Sequence, residues 1–271
     1  MTGDGLSLLQ GRAPLLLSLP HTGTDLANLE PRLVSQWLAR KDTDWWIAEL
    51  YEFAAGQGAS IVHTAISRTV VDVNRDPTGQ SLYPGLATTG LCPLTTFDGE
   101  ALYLPGQEPD AAEIAARTGR WFDPYHSALH GELARLRALH PKVVLYDCHS
   151  IRSIVPRLFD GVLPMFNLGT NSGTSADAEL VARVGAILAR SGESHVTDGR
   201  FKGGYITRHY GRPSLGVHAL QMELACRSYI PDPAAPISAA NWPPDYDADF
   251  AAATRKTLEN ILDCALAWAL E

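Results

Sequence analysis

The sequence predicts an α/β protein, a three-layer αβα sandwich around a mostly parallel mixed sheet. Short apolar runs with the length and branching of buried strands alternate with longer segments whose apolar residues recur at helical spacing. Two of the strand-like runs are closely followed by a histidine, which draws attention to one edge of the sheet. We find no repeat, low-complexity linker or domain boundary, so we expect one domain over residues 1–271.

The first half of the chain contains the clearest alternation of elements. The apolar run 15–19 is a predicted buried strand, and helical spacing over 33–54 follows it. The segment 42–44, Asp-Thr-Asp, interrupts that spacing and is typical of a helix cap. Two further strands are predicted at 59–65 and 67–73.

The middle of the chain contains a long segment without periodicity. Residues 76–109 are rich in Gly, Pro and Thr, as expected for a loop that covers a substrate. The remaining predicted elements are one or two helices over 109–139, a strand starting at Val143, a strand over 161–167, a helix over 176–191, a strand over 217–224 and a helix over 258–270. Residues 201–211 are predicted to form a Gly-hinged loop.

Composition limits the classes of partner. The net charge is −8, with 22 basic against 30 acidic residues and no basic cluster, which argues against nucleic acid. Four scattered cysteines without a CxxC pair are typical of a reduced protein, and no signal peptide or membrane-spanning run is evident. We therefore expect a cytoplasmic protein that acts on a small molecule, without a nucleic-acid or membrane partner.

Two of the histidines follow predicted strands. His21 lies in Pro-His-Thr-Gly after the first strand, and His149 lies in Asp-Cys-His-Ser at the end of another. Ligands of open α/β sheets bind at the carboxyl ends of strands, where two imidazoles provide half of a metal site. A lone His21 would more ordinarily be a hydrogen-bonded loop residue. Strand alternation places Asp147 on the face of His149, where it can orient the site. Cys148 lies on the opposite face, which argues against a thiol nucleophile activated by His149.

A hydrolytic zinc usually takes three protein ligands and leaves one position for water, so a third ligand is needed. Asp42 and Asp44 are candidates at a predicted helix start, and Asp25 is a further one. Capping of the helix is the simpler role for the first two. The residues by themselves leave the choice among the three aspartates open.

Two arginines with acidic residues and an asparagine between them form the next group. Arg68 and Arg75 lie beside a predicted strand, and guanidinium forks bind carboxylates in bidentate fashion. The alternative is an internal salt-bridge network with Asp72 or Asp76. Either role is compatible with the sequence.

Glu223 ends an otherwise apolar strand, where a charge is costly unless it is paired or used. Burial would raise its pKa towards the range of a general base, although a glutamate that faces solvent at a strand end is common. Arg208, in the Gly-hinged loop, could meet an anionic ligand or simply lie in solvent.

Taken in order, these segments resemble the N-formylglutamate amidohydrolase (N-formylglutamate deformylase) family over roughly residues 14–230. The matching motifs are Pro20-His21-Thr22-Gly23-Thr24, Asp42-Thr43-Asp44-Trp45, Arg68 through Asp76, Asp147-Cys148-His149-Ser150, Lys202 through Gly211, and Gln221-Met222-Glu223-Leu224. The sequence departs from the family pattern at Val73, where leucine is expected, and at Trp46 and Ala48, where more polar residues are expected.

The resemblance implies a fold related to zinc carboxypeptidases and aspartoacylase, and a role for each matching residue. It implies Zn²⁺ or another divalent metal on His21, Asp44 and His149, with Glu223 as general base and acid. It further implies that Arg68 polarises the scissile carbonyl, that Asn74 and Arg75 grip a substrate carboxylate and that Arg208 contacts a second one.

The activity implied is hydrolysis of N-formyl-L-glutamate to L-glutamate and formate, the last step of a histidine degradation route. One alternative is a deacylase for another N-acyl amino acid, such as N-acetylaspartate, which would use the same site. Another is a non-catalytic protein that binds a dicarboxylate on the same scaffold.

Overall fold

The computed structural model describes residues 5–81, 85, 87–233 and 236–271. Seven strands form one mixed sheet in the order β1-β3-β2-β4-β7-β5-β6. The strands are β1 Leu6–Leu9, β2 Leu15–Leu19, β3 Ser60–Thr64, β4 Val143–Ile151, β5 Phe166–Gly169, β6 His195–Thr197 and β7 Val217–Ala225. Four of the six neighbouring pairs are parallel, while β1–β3 and β5–β7 are antiparallel, which confirms the mostly parallel mixed sheet.

Helices cover both faces of the sheet. They are α1 Gln36–Arg40, α2 Ile47–Leu50, α3 Ala111–Arg117, α4 Asp123–Arg137, α5 Ala178–Ser191, α6 Tyr205–Tyr210 and α7 Ala248–Leu270. A π-helical turn, Thr118–Phe122, joins α3 to α4. Four short 3-10 helices are Glu30–Arg32, Glu52–Ala55, Pro213–Leu215 and Cys226–Ser228.

Alternation along the central strands divides the core into two layers. Leu15 and Leu17 of β2 pack in one cluster with residues of α2, α5 and α7. Leu16 lies between them in sequence but packs in the other cluster, with residues of α4 and α6. All residues of β2 and β4 are buried, as expected for parallel strands covered on both faces. The three-layer αβα sandwich is therefore confirmed.

Several predicted elements differ from the structure. Residues 67–73 form a buried turn rather than a strand, because the Val70 amide donates to the Ser67 carbonyl and the Asp72 amide donates to Leu91. The predicted strand at 161–167 begins only at Phe166, and residues 205–210 of the predicted loop form α6. The strands β1 and β6 have no counterpart in the prediction; both are short and lie at the sheet edges.

The long aperiodic segment is confirmed as a loop in its described part. Between 76 and 109 the described residues contain isolated bridges but no helix or strand, and positions 82–84 and 86 lie outside the described residues. None of the helices formed by the described residues is both long and apolar enough to cross a membrane.

Candidate active site

The site lies at the carboxyl edge of three neighbouring strands. Since β2, β4 and β7 run parallel, their carboxyl ends meet at this edge. His21 follows β2 by two residues, while His149 and Glu223 are register partners near the ends of β4 and β7. Asp44 comes from the segment between α1 and α2, which is held in place where the Asp44 amide donates to the His21 carbonyl at 3.0 Å.

His21, Asp44 and His149 form a buried cluster whose ligand atoms all lie within 4.8 Å of one another. The Nδ1 atoms of His21 and His149 face Asp44 Oδ2 at 3.6 and 3.2 Å. Within the described residues no protein group hydrogen-bonds to His21 Nδ1 or Asp44 Oδ1, although both atoms are buried. Buried polar atoms normally have partners, so these two fit a bound cation, and two imidazoles with one carboxylate suit a divalent metal.

Two further carboxylates orient the imidazoles. His21 Nε2 donates to Asp72 Oδ1 at 2.6 Å, and His149 Nε2 donates to Asp147 Oδ2 at 2.9 Å. Such contacts select the tautomer in which Nδ1 carries the lone pair and faces the cluster. The prediction that Asp147 orients His149 is thereby confirmed.

The electrostatics of the cluster favour a cation between its members. Burial alone would raise the pKa of the Asp44 carboxyl, but the adjacent imidazoles of His149 and His21 outweigh burial and hold that pKa below its ordinary value. Burial alone would lower the pKa of His149, and the charge of Asp147 outweighs it and raises that pKa well above its usual range. Positive charge, whether proton or metal, is therefore stabilised here.

The structure brings only Asp44, of the three candidate aspartates, into this cluster. Asp42 accepts hydrogen bonds from the Phe97 amide at 2.6 Å and from Arg152 at 3.2 Å. Asp25 is exposed and accepts from the Ala27 amide. Neither carboxylate is available to the two imidazoles.

Glu223 is buried beside the cluster rather than facing solvent. Burial raises the pKa of its carboxyl to about 7, while the neighbouring imidazole of His149 acts in the opposite direction. Gln221, two residues earlier on the same strand face, donates to Glu223 Oε2 at 3.1 Å and accepts from the Gly204 amide at 2.6 Å. This chain of contacts fixes a carboxyl group that titrates near neutral pH.

Arg68 is buried next to the cluster. It donates to Asp72 at 2.8 Å, lies 3.8 Å from Asp44 Oδ1, and its guanidinium lies 4.7 Å from the centre of the Phe97 ring. Arg68 therefore combines both roles that the sequence allowed, because it forms an internal salt bridge with Asp72 and also lies in the site. Cys148 packs in the core on the opposite sheet face, where burial raises the pKa of its thiol well above the usual value, so it is not a nucleophile for this site.

A pocket of about 570 Å³ opens beside the cluster. Its lining residues are His21, Arg68, Asn74, Arg75, Ala87, Thr88, Thr89, Phe97, His149, Ile151, Leu158, Arg200, Phe201, Gly204, Gln221 and Glu223. Residues of the long loop therefore form part of the pocket wall. Arg75 is held at this wall by donating to the Thr89 carbonyl and hydroxyl, both at 3.1 Å.

Asn74 and Gly204 are fitted to each other in the wall. The side-chain nitrogen of Asn74, Nδ2, lies 2.9 Å from His149 Nε2. The side-chain oxygen, Oδ1, accepts a hydrogen bond from the backbone N–H of Ile206 at 2.8 Å. A Cβ on Gly204 would lie 2.4 Å from that amide nitrogen, so this position requires glycine. The first turn of α6 thereby holds Asn74 against the cluster.

The structure does not bring Arg208 into this pocket. Its Nε donates to the Gly203 carbonyl at 2.8 Å on α6, and it is not among the described residues that line the pocket. Sequence reasoning also missed Asp72 and Gln221 as orienting residues, and Arg200 and Phe97 as pocket residues. Strand alternation could have indicated Gln221, since it lies two residues before Glu223; nothing local indicates the others.

A mostly parallel sheet whose carboxyl edge presents two oriented imidazoles, a carboxylate and a buried glutamate is typical of the class of metal-assisted hydrolases. The chain belongs to the N-formylglutamate amidohydrolase family, whose model matches residues 13–230. The family predicted from the ordered motifs is thereby confirmed.

Individual relatives agree with this family. The chain is 49% identical to the N-formylglutamate deformylase of Pseudomonas aeruginosa, over 98% of this chain and 97% of that protein. The N-formylglutamate deformylase of Pseudomonas putida is 45% identical with the same coverage. The crystal structure of N-formylglutamate amidohydrolase from Ralstonia eutropha JMP134 matches with a TM-score of 0.79 at 22% identity, over 98% of both chains, which supports the fold.

Proposed function

We propose that this chain hydrolyses N-formyl-L-glutamate to L-glutamate and formate in a metal-dependent reaction. The observation that carries the proposal is the buried His21, Asp44 and His149 cluster next to a glutamate that titrates near neutral pH. Two ligand atoms of this cluster, His21 Nδ1 and Asp44 Oδ1, have no hydrogen-bond partner among the described residues. The substrate is the one named for the relatives at 49% and 45% identity.

His21, Asp44 and His149 would hold Zn²⁺ or a comparable divalent ion. When bound, such an ion supplies Lewis acidity, which acidifies water and polarises a carbonyl oxygen. The donor set alone does not select zinc over cobalt or manganese, so metal content has to be measured.

Glu223 would carry the proton. Its carboxylate takes a proton from water as the water oxygen attacks the formyl carbon, and it gives that proton to the amine nitrogen when the C–N bond breaks. A pKa of about 7 suits both directions of transfer near neutral pH. Gln221 holds one carboxylate oxygen, so the other is directed to the reaction.

Arg68 would stabilise the oxyanion that develops on the formyl oxygen. Its guanidinium is buried and fixed by Asp72 and the Phe97 ring, so little reorganisation accompanies the reaction. Arg75 would bind the α-carboxylate of the substrate, and Asn74 forms the adjoining wall. Glu223, Arg68 and Arg75 therefore have separate proposed roles in proton transfer, oxyanion stabilisation and carboxylate binding.

The cellular setting follows from the family and the cysteines. We assign the reaction to the last step of a histidine degradation route because that role is implied for the family. All four cysteines are free, which agrees with a reducing compartment such as the cytoplasm.

Formate release from N-formyl-L-glutamate, measured before and after chelation and after adding Zn²⁺ back, tests the proposal. We expect chelation to abolish release and metal to restore it. Bound metal without release would direct the search to other N-acyl amino acids, and neither metal nor release would favour a dicarboxylate-binding protein.

Glu223→Gln tests the general base. It should retain stoichiometric metal while kcat falls by roughly 10² to 10⁴, since general acid–base catalysis contributes about that factor. Near-normal turnover in this variant would remove Glu223 from its role.

A further inference from the structure

The pocket has an apolar surface beside the polar groups of the site. Phe97 and Ile151 line the pocket and pack in one hydrophobic cluster with Val155, Leu163 and Ala225. All five side chains are buried, and of these five only Phe97 and Ile151 line the pocket. We call these two residues the apolar wall.

The strand register places one residue of the apolar wall next to the reacting groups. His149 and Glu223 are register partners on β4 and β7. Two residues further on, the register partners are Ile151 and Ala225. Residues two apart in a strand share a face and lie about 7 Å apart. Ile151 is therefore the next side chain after His149 on the face of the sheet that carries the site.

Phe97, the other residue of the apolar wall, contacts the group that is proposed to stabilise the oxyanion. The Arg68 guanidinium lies 4.7 Å from the centre of the Phe97 ring, and it lies 3.8 Å from Asp44 Oδ1 in the metal cluster. Since both residues of the apolar wall pack in one cluster, the wall extends from the strand position after His149 to Arg68.

An ionic network fixes the apolar wall in place. The backbone N–H of Phe97 donates to Asp42 at 2.6 Å. Arg152 follows Ile151 in the chain and donates to the same Asp42 carboxylate at 3.2 Å. It also donates at 2.7 Å to Asp98, which follows Phe97. Both residues of the wall are thus held by one network, and a close-packed wall of this kind has little freedom to move away from a larger group.

The substrate has one substituent to which the proposed roles assign no protein group. The formyl carbon bears an oxygen, which is assigned to Arg68, and a nitrogen, which connects it to the α-carboxylate assigned to Arg75. Its third substituent is a hydrogen, and in an N-acetyl compound it is a methyl group. Neither substituent needs a polar partner, so an apolar surface suits this position, and the space in front of that surface decides which of the two fits.

Resting on the proposed function, we infer that Phe97 and Ile151 are specificity-determining residues that face the acyl hydrogen of the substrate and exclude N-acetyl compounds by size. An acetyl group is larger than a formyl group by one methylene unit. Removing one methylene unit from the apolar wall is therefore expected to make room for the acetyl group.

Kinetics with N-formyl-L-glutamate and N-acetyl-L-glutamate test the inference on the Zn²⁺-loaded protein. The quantity compared is the acetyl-to-formyl ratio of kcat/KM in each variant relative to wild type, because the intrinsic reactivities of the two amides cancel in it. Ile151→Val and Phe97→Leu should each raise this ratio by about 10-fold or more, since one methylene group in an apolar pocket is worth about 10- to 200-fold. Phe97→Leu should also lower kcat/KM for both substrates, because it removes the aromatic ring from Arg68.

Val155→Ala is the matched control for loosened packing. It removes volume from the same hydrophobic cluster at a buried position that does not line the pocket. We expect it to lower stability and to leave the acetyl-to-formyl ratio unchanged. An unchanged ratio in both Ile151→Val and Phe97→Leu would overturn the inference, as would an equal rise in Val155→Ala. A wild type that prefers the acetyl substrate would overturn it too.

Binding measurements make the test independent of turnover. Calorimetry compares the Kd values of the two N-acyl compounds for Zn²⁺-loaded Glu223→Gln with and without Ile151→Val. The second substitution should raise the relative affinity for N-acetyl-L-glutamate by about 10-fold. If the wild type releases no formate while this relative affinity shifts, the proposed reaction fails and the inference stands. If the wild type releases formate and neither the kinetic nor the binding ratio shifts, the proposed reaction stands and the inference fails.

Discussion

Asp72 is the residue whose replacement most directly tests how the site is built. Its Oδ1 accepts from His21 Nε2 at 2.6 Å and from the backbone N–H of Asn74 at 2.9 Å. Its Oδ2 accepts from Arg68 at 2.8 Å. Asp72→Asn keeps the shape but has only one acceptor oxygen. With that oxygen towards His21, the new NH₂ group meets the Arg68 guanidinium, donor against donor, at a fully buried position.

The expected magnitude follows from these contacts. Burial alone would raise the pKa of the Asp72 carboxyl, but the neighbouring cations, led by Arg75, hold it well below its usual range. Removing one partner of a buried ion pair costs about 3–5 kcal/mol. Asp44 lies 3.8 Å from Arg68 and retains part of the attraction, so we expect a loss of about 3 kcal/mol in the free energy of unfolding.

Metal affinity should fall as well, by about 10- to 100-fold, because the His21 imidazole loses its anionic partner. Denaturant unfolding in the presence of a chelator measures the first effect, and competition with a chromophoric chelator for Zn²⁺ measures the second. Asp25→Asn is the matched control, since that carboxylate is exposed and should change stability by less than about 0.5 kcal/mol. An Asp72→Asn protein with wild-type stability and wild-type Zn²⁺ affinity would refute this account of the site.

Two further predictions concern packing and pH. Gly204→Ala should destabilise the protein by about 1–3 kcal/mol and lower turnover, because its Cβ would lie 2.4 Å from the Asn74 amide nitrogen. Gly131→Ala in α4, where a Cβ meets nothing within 4 Å, should instead be neutral or stabilising in the same unfolding assay; equal losses in both variants would contradict the steric argument. Burial lowers the pKa of His126 from 6.5 to about 4 in the folded protein. Between these two pH values the unfolded chain binds a proton at His126 that the folded protein does not, so the free energy of unfolding decreases as the pH falls from 6.5 to about 4. His126→Gln should remove about 3 kcal/mol of that pH dependence in denaturant unfolding from pH 7 to 4, and an unchanged pH profile would show that His126 does not titrate as described.

The periodic parts of the fold were predictable because their signals are local. Alternation along 143–151 placed Asp147 and His149 on one face and Cys148 on the other, and the structure agrees. The turn at 67–73 was mistaken for a strand because buried turns and buried strands share the same apolar residues. What separates them is the hydrogen bond from the Asp72 amide to Leu91, which lies far along the chain.

The candidate metal cluster was partly predictable for the same reason. Two strand-like runs that lead into histidine indicate a shared sheet edge, since the carboxyl ends of parallel strands meet there. The choice among Asp25, Asp42 and Asp44 was open from the residues, and only the family resemblance favoured Asp44. In the structure the choice depends on the path of the segment between α1 and α2, where Asp42 accepts from the Phe97 amide and Asp44 reaches the imidazoles.

The sequence by itself therefore determined the fold class, the strand faces and the residues available for chemistry, because side-chain alternation and helical spacing act over a few residues. Tertiary structure decided which of those residues meet. The sheet order places β4 between β2 and β7, so His21, His149 and Glu223 converge although more than 200 residues separate the first from the last. The loops around the pocket bring Arg75 and Arg200 to it and leave Arg208 outside, a result that depends on contacts between distant segments and not on any local pattern.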